Sequence, residues 1–328
     1  MRIAIAGCGW TGAILANRLS HLGHSLDVYE IHKQPKAICA CGIPTSFFKE
    51  LAKKCGLKPE EYILWEAKDL IVDFGNKTVR SQTGNLCTFN KQKFMEDLVN
   101  QSNANFHFGE KLPPSKLQEY DLVIDATGTR ELLGKLPTDN YYLTYQVKAK
   151  FNNLPYNGFY FQISKTPHSK YLWMFPLSEK EAYVGYASKN AQLNVSQVEN
   201  FLKTHNAQTL EKQAKLLRLN PPQESLPIVH GKIVGVGTSI GAITSLGEGN
   251  ALSAITADIL IANLDNLEKY RKQLLEKLKW LQHDHAAYNS WVENRKLKAL
   301  YHALKVYKIY KERFKLTSKN TLKTALGI

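Results

Sequence analysis

The chain of 328 residues has few cysteines and no long apolar run, and each absence excludes a class of protein. Five cysteines are an odd and sparse set, so we expect reduced thiols and no disulfide framework. No uncharged stretch reaches the roughly 18 to 20 residues of a membrane-spanning helix. The N-terminus also lacks the basic and apolar regions of a secretory signal. These absences, with an ordinary globular composition, predict a folded cytoplasmic protein of about two domains.

The chain has an excess of positive charge, and most of this excess lies near the C-terminus. The net charge is +14, and residues 266–328 hold 15 lysines and arginines against 5 acidic residues, a net of +10. Such a surface suits phosphates, anionic lipid headgroups or an acidic partner. We expect no nucleic-acid partner. Two apolar stripes at helical spacing lie in this segment, and they either pack on the body of the protein or attach it peripherally to an anionic membrane surface. The stripes are Leu267, Tyr270, Leu274, Leu278 and Leu281, then Leu297, Leu300, Leu304 and Tyr307.

Apolar periodicity divides the chain into three parts. Strands alternate with helices over residues 1–140 and 221–265, which predicts one discontinuous α/β domain. Short aromatic-rich segments of period two predict an antiparallel sheet inserted between them, a domain over 141–220 that includes a helix over 194–219. Basic helices are predicted over 267–287 and 291–314, in a C-terminal segment of residues 266–328.

A glycine-rich turn provides the strongest chemical signal. It follows the first strand and opens the first helix, and its sequence runs Gly7, Cys8, Gly9, Trp10, Thr11, Gly12. Glycines at these three positions allow a tight turn, close approach to a pyrophosphate, and close packing of helix on sheet. Glu30 ends the next strand, where a carboxylate accepts the hydrogens of a ribose. The unit predicts Rossmann-like dinucleotide binding; the alternative is a purely structural turn.

Later segments favour FAD as the dinucleotide. The strand that ends at Thr127 and Gly128, and the Gly-rich segments 237–241 and 246–250, resemble the flavoprotein superfamily of hydroxylases and reductases. The resemblance implies an α/β fold with a Rossmann-like FAD-binding domain, an inserted antiparallel-sheet substrate domain and a C-terminal helical segment. The cofactor-binding residues that it adds to Gly7, Gly9, Trp10, Thr11, Gly12 and Glu30 are Lys91, Thr127, Gly128, Thr238, Gly247, Gly249 and Asn250.

Two further motifs resemble the geranylgeranyl reductase family. Cys41 and Gly42 are similar to the family's Cys-Gly segment beside the flavin, and Tyr171, Trp173 and Phe175 match its Tyr-x-Trp-x-Phe-Pro pattern. Residues two apart in a strand share a face, so these three aromatic side chains form either a pocket wall for a prenyl substrate or an ordinary core.

The sequence departs from the family pattern at three positions. Thr238 replaces an acidic residue, Ser245 stands in place of a proline, and Lys91 replaces an arginine that pairs with phosphate in a bidentate way. The loop that holds the first two is also one residue shorter.

Other chemistry-bearing residues have two interpretations each. Cys41 is either a catalytic thiol beside the flavin or a small residue that fills space there. The sequence His283, Asp284, His285 looks like a metal site, but neighbouring residues on a helix point different ways, so we expect solvated surface and no metal.

The resemblance implies an FAD-dependent oxidoreductase that reduces C=C bonds of an isoprenoid or prenyl lipid. The alternatives are an FAD-dependent monooxygenase of the same superfamily and a non-catalytic protein that binds flavin or lipid. Because a second nucleotide-binding unit is absent from the sequence, NAD(P)H and a ferredoxin partner both stay open as electron donors.

Overall fold

The computed structural model describes residues 1–164 and 168–317; the end of the predicted C-terminal segment, residues 318–328, lies outside the described residues. The strands are β1 (Arg2–Ala6), β2 (Ser25–Glu30), β3 (Gly42–Ile43), β4 (Ile63–Glu66), β5 (Asp69–Asp73), β6 (Thr78–Gln82), β7 (Cys87–Phe89), β8 (Asn105–Phe108), β9 (Leu122–Asp125), β10 (Tyr141–Lys150), β11 (Phe159–Ile163), β12 (Ser169–Pro176), β13 (Glu181–Ser188), β14 (Gln208–Arg218), β15 (Val229–His230) and β16 (Ile233–Gly235). The α-helices are α1 (Trp10–Ser20), α2 (Thr45–Lys54), α3 (Lys91–Asn100), α4 (Ala191–Thr204), α5 (Asn250–Ile261), α6 (Leu267–Lys277), α7 (Trp280–Val292) and α8 (Lys296–Phe314).

A six-stranded, mostly parallel sheet forms the first layer, in the order β15-β16-β9-β1-β2-β8. Strand β1 is apolar from Ile3 to Ala6 because both faces of the sheet are buried against other parts of the chain. Ile5 of β1 lies opposite Val28 of β2 and Ile124 of β9, and all three are fully buried. Helix α1 packs against α3 and α5 on this sheet. The predicted strand-turn-helix-strand unit at the N-terminus is confirmed.

A seven-stranded sheet forms the second layer, in the order β14-β10-β13-β12-β11-β5-β6. One face packs against α4, where Val198 and Leu202 meet a buried apolar cluster. The predicted antiparallel sheet is present, but β5 and β6 also join it from outside residues 141–220. The predicted helix over 194–219 is wrong beyond Thr204. The left-handed φ of +48° at Asn206 ends the helix, and β14 then pairs with β10 along its length.

The C-terminal segment is helical, with breaks that the apolar spacing does not predict. The expected helix over 267–287 divides into α6 and α7, and a left-handed Asn294 (φ +57°) separates α7 from α8. The first predicted stripe is buried in the main core. In the second stripe Leu297 and Leu304 are exposed, and Ala299, Ala303 and Val306 form the buried face of α8 instead. Across the described residues no helix is both long and apolar enough to span a membrane.

Candidate functional site

The glycine-rich turn after β1 has the geometry that a dinucleotide requires. Gly7 has a φ of +97°, and a Cβ there would lie 2.7 Å from the carbonyl oxygen of Ala126. A Cβ at Gly12 would overlap the carbonyl oxygen of Gly7, whereas Gly9 faces open space. Helix α1 starts directly afterwards at Trp10 without a side-chain cap. The N–H groups of its first turn therefore remain available to an anion at the positive end of the helix.

Glu30 lies at the end of β2 beside this turn. Its side chain is buried, and its two carboxylate oxygens accept hydrogen bonds from the backbone N–H of Cys8 (2.8 Å) and of His32 (2.9 Å). These bonds fix the orientation of the carboxylate at the wall of a large cavity. A carboxylate has about four acceptor sites, so lone pairs remain for the hydroxyls of a ribose.

The turn after β9 completes this end of the cavity. The fully buried Asp125 accepts hydrogen bonds from the hydroxyl and the N–H of Thr127. Gly128 has a φ of +77°, and a Cβ there would meet the hydroxyl of Thr238 at 3.0 Å. The structure therefore brings Thr127, Gly128 and Thr238 together at the cavity wall.

Lys91, Asn250 and Trp10 form a polar cluster at the start of α5. The ammonium of Lys91 donates a hydrogen bond to Oδ1 of Asn250 at 2.8 Å and lies 5.0 Å from the ring centroid of Trp10. The Nδ2 group of Asn250 donates to the carbonyl of Gly42 at 2.9 Å and to the sulfur of Cys39 at 3.4 Å. The cluster places a fixed cation next to a thiol at the cavity.

Cys39 and Cys41, which precede β3, differ in where their thiols point and in acidity. Cys39 lines the cavity, whereas the buried thiol of Cys41 donates to the carbonyl of Cys39 at 3.2 Å. The hydrogen bond from Cys41, the charge of Lys91 and the amide of Asn250 hold the pKa of Cys39 well below its usual range, although burial opposes them. The pKa of Cys41 is raised well above the usual range, by its bond with Cys39 and then by burial. Cys39 is thus the thiol that reaches the cavity, and the predicted catalytic residue Cys41 lies behind it.

A hydrogen bond from the loop before α5 to helix α7, and an ion pair with helix α8, hold this loop in place. The N–H of Ser245 donates to Oδ2 of Asp284 at 2.6 Å, and Oδ1 of Asp284 accepts from the hydroxyl of Tyr310 at 2.5 Å. Arg313 forms an ion pair with Glu248 at 2.7 Å. A proline at position 245 would have no N–H to donate to Asp284. Ser245, which departs from the family pattern, is therefore matched by an acceptor on α7. Further along, Gly247 and Gly249 line the cavity.

The interpretation of 283–285 as solvated surface is wrong. Asp284 and His285 are both buried, and Nε2 of His285 donates to the carbonyl oxygen of Ile243 at 2.9 Å. Burial lowers the pKa of His285 below its usual value. In the part of the chain that the structure describes, no group of His, Cys, Asp and Glu side chains could hold a metal ion. Helix α7 is covered on several sides, which its sequence alone does not reveal.

Tyr171, Trp173 and Phe175 share one face of β12, as predicted, and all three line the cavity. Phe159 and Phe161 of β11 join them, and the rings of Phe159 and Phe175 stack with centroids 4.1 Å apart. A Cβ at Gly185 of the neighbouring strand would overlap the indole of Trp173, so the glycine provides room for that ring.

The cavity has a volume of about 750 Å³ and uses the free face of the seven-stranded sheet as its floor. One row of paired residues runs across this floor from Gln146 through Gly185, Trp173 and Phe161 to Val72. The floor therefore changes from polar at β10 to aromatic and aliphatic at β12, β11 and β5. Helices α7 and α8 form the opposite wall at the apolar end.

Lys215 of β14 is a cavity residue that the sequence interpretation missed. It pairs with Thr144 in the sheet, and both residues line the cavity. Within residues 1–164 and 168–317 no acidic side chain lies within ion-pair distance of its ammonium. The side chain of Lys215 is exposed to the cavity. Desolvation by the surrounding protein and the charge of Lys91 lower its pKa, while the negative charges of Cys39 and Glu30 oppose this shift. No alternating apolar pattern marks β14 in the sequence, so the predicted helix over 194–219 covers Lys215 and hides its position in a sheet.

Comparisons with known proteins place the chain among flavoprotein folds. No family model matches the sequence. An uncharacterized protein of Methanocaldococcus jannaschii is 23% identical in an alignment of length 305 residues, and the match covers 79% of this chain and 82% of that protein. A geranylgeranyl bacteriochlorophyll reductase-like protein from Thermoplasma acidophilum aligns with a TM-score of 0.71 at 16% identity, over 99% of this chain and 95% of that one.

Two other solved structures have the same fold at lower identity. A probable FAD-dependent monooxygenase from Pseudomonas aeruginosa has a TM-score of 0.63 at 13% identity, with 92% of this chain and 99% of that chain covered. A flavoprotein/dehydrogenase from Cytophaga hutchinsonii has a TM-score of 0.65 at 11% identity, with 99% and 98% covered. The chain therefore has the Rossmann-like fold of these flavoproteins, with the predicted inserted sheet.

Proposed function

We propose that this protein is an FAD-dependent oxidoreductase that reduces C=C bonds in the chain of an isoprenoid or prenyl lipid. The observation that supports it most is the continuity of one cavity. Its polar end includes Gly9 and Glu30, and its other end includes Trp173 and Phe161. A nucleotide cofactor at the first end and an apolar chain at the second would share one enclosed space.

FAD fits the residues at the polar end. The N-terminus of α1 at Gly9 would hold the pyrophosphate, Glu30 the adenosine ribose, and Lys91 a phosphate charge. The segment from Gly247 to Asn250 would approach the ring system from the start of α5. When bound, reduced flavin supplies a hydride to one carbon of the double bond, and a proton is added at the other. The residues of this chain would bind the cofactor, orient the substrate against it and exclude water.

The aromatic floor favours a long apolar substrate. Apolar contact contributes about 25 cal/mol per Å² of buried surface, and it needs no polar partner on the substrate. A monooxygenase that acts on a small polar ring instead depends on a few placed polar groups in a compact pocket. Because aromatic and aliphatic side chains dominate from β12 to β5, we place the prenyl reductase ahead of the monooxygenase. Because one of the similar structures is a probable monooxygenase, the substrate experiment below also tests for that activity.

The cofactor half of the proposal is tested by spectroscopy. Purified protein should show a flavin absorption spectrum, and Glu30→Ala should weaken FAD binding ten- to a hundredfold, because a charged hydrogen bond contributes about 1.5–3 kcal/mol. Glu60→Ala, an exposed change, is the control. A colourless protein that takes up no FAD would support the non-catalytic alternative.

The substrate half is tested with reduced protein under anaerobic conditions. Geranylgeranyl compounds should reoxidise the flavin and gain two hydrogens per reduced bond, as measured by mass spectrometry. Trp173→Ala should lose about 1–3 kcal/mol of prenyl binding with the flavin spectrum intact. Met174→Ala, on the same strand but packed toward α4, is the matched control. If prenyl compounds leave the flavin reduced while a phenol gains oxygen in air, the protein is a monooxygenase. The same titration, with NAD(P)H or reduced ferredoxin, identifies the electron donor.

A further inference from the structure

Helix α8 has two apolar faces, and the described part of the chain covers only one of them. Its inner face lines the cavity through Ala303, Val306 and Tyr310. On the outer face, Leu297 is 84% exposed and Leu304 is 51% exposed. Tyr301 lies between them at helical spacing and is 54% exposed. Together the two leucines and the tyrosine form one apolar stripe over three successive turns, and a contiguous apolar patch rimmed by polar groups is typical of a protein or membrane contact.

Lysines extend and flank this outer face. Lys308 and Lys311 continue the stripe of Leu297, Tyr301 and Leu304 at spacings of four and three residues. The side chain of Lys308 is 86% exposed, and its partner Glu312 is 3.8 Å away. Further exposed lysines flank the stripe, at positions 296, 298 and 305.

This combination of groups fits a lipid surface better than a second copy of the chain. Apolar side chains surrounded by lysines are the pattern of helices that lie in the interface of an anionic bilayer, where the apolar groups enter the boundary and the cations meet headgroups. Two copies that met through the same face would place their lysines against each other, at a cost in like-charge repulsion.

We propose that the outer face of α8, the stripe from Leu297 to Lys311, binds the surface of an anionic bilayer, and that apolar chains enter the cavity beside this helix. The binding half depends only on the exposed groups of α8. The entry half rests on the proposed function, because it requires a lipid chain as substrate. The inner and outer faces of one helix would then form the cavity wall and the membrane contact.

Vesicle sedimentation tests the binding half. The flavin-loaded protein should sediment with phosphatidylglycerol vesicles at low salt, and not with phosphatidylcholine vesicles or at high salt. The double variant Leu297→Ser/Leu304→Ser should reduce binding more than tenfold, and replacing Lys298, Lys305 and Lys308 with Gln should reduce it about a hundredfold. The control Leu22→Ser/Leu64→Ser changes exposed leucines outside α8 and should bind as the wild type does.

Two results would overturn this proposal. One is binding that is absent or independent of lipid charge. The other is a dimer in sedimentation velocity that disappears in Leu297→Ser/Leu304→Ser, because a second copy would then cover the stripe.

The entry half has a separate readout. The leucine variant should keep the wild-type rate on a detergent-dispersed prenyl substrate and lose rate only on substrate embedded in vesicles; an equal rate on embedded substrate would contradict entry beside α8. If no prenyl compound is reduced in either form while vesicle binding persists, the proposed function fails and the membrane surface stands.

Discussion

At the scale of single residues, the site depends on partners that are distant in sequence. Asn250 links Lys91 to Cys39, although the three residues come from three separate parts of the chain. The Cys-Gly segment could be found from sequence, but not the direction of each thiol. Cys41 adopts a left-handed φ of +61°, and its N–H donates to the sulfur of Cys39 at 3.2 Å. The backbone conformation therefore decides which thiol reaches the cavity.

A test of this arrangement is the pH dependence of alkylation. Thiolate is the reactive form, so the lowered pKa of Cys39 should make it react with iodoacetamide at lower pH than Cys41, whose pKa is raised. Lys91→Met removes a charge that favours the thiolate and should move the rate profile of Cys39 to higher pH. Lys93→Met, exposed on the same helix, should leave it unchanged. Peptide mass spectrometry measures each site, and modification of Cys41 at the same rate would contradict the assignment.

At the scale of elements, local patterns were predictable and non-local pairing was not. The strand-turn-helix-strand unit depends on residues within one short segment, so its apolar pattern and glycines were sufficient. Strand β14 instead gains its hydrogen bonds from β10, whose paired residues lie 58 to 77 positions earlier. A charged edge strand of this kind has no apolar period of its own. The buried positions on α7 were missed for the same reason, since α8 and the loop before α5 create that burial.

The contact between α7 and the loop predicts a compensating pair of substitutions. Asp284→Ala leaves the N–H of Ser245 and the hydroxyl of Tyr310 without their acceptor, and should cost about 1.5–3 kcal/mol of stability and weaken FAD binding. Adding Ser245→Pro removes the orphaned N–H and should restore part of the FAD affinity. Thermal unfolding and FAD titration measure both effects, with the exposed Glu276→Ala as control. Double and single variants with equal affinity would show that the N–H of Ser245 does not matter.

At the scale of the whole molecule, the two sheets enclose one space with opposite chemical ends. The parallel sheet presents its glycine-rich turn and Glu30, and the second sheet presents a floor that grades from Lys215 to Val72. Neither sheet forms the site alone. Within the proposed function, the cation of Lys215 beside the polar positions of β10 suits an amphiphilic substrate, with an anionic end toward β14 and its chain across β12 and β11.

This gradient predicts that Lys215 selects phosphorylated prenyl compounds. Lys215→Met should weaken geranylgeranyl phosphate binding ten- to a hundredfold and leave geranylgeraniol binding unchanged, because only the phosphate uses the charge. Lys212 lies on the same strand but pairs with Val147, which faces α4, so Lys212→Met is the matched control.

The pH dependence of phosphate binding follows from the lowered pKa of Lys215. The ammonium is charged below that pKa, so phosphate affinity should fall as the pH rises through it, at a lower pH than for an ordinary lysine. Titration of flavin fluorescence with both ligands between pH 6 and pH 10 measures the effect. An equal loss for the phosphate and the alcohol would mean that Lys215 supports the sheet or the cofactor instead of the anionic end of the substrate.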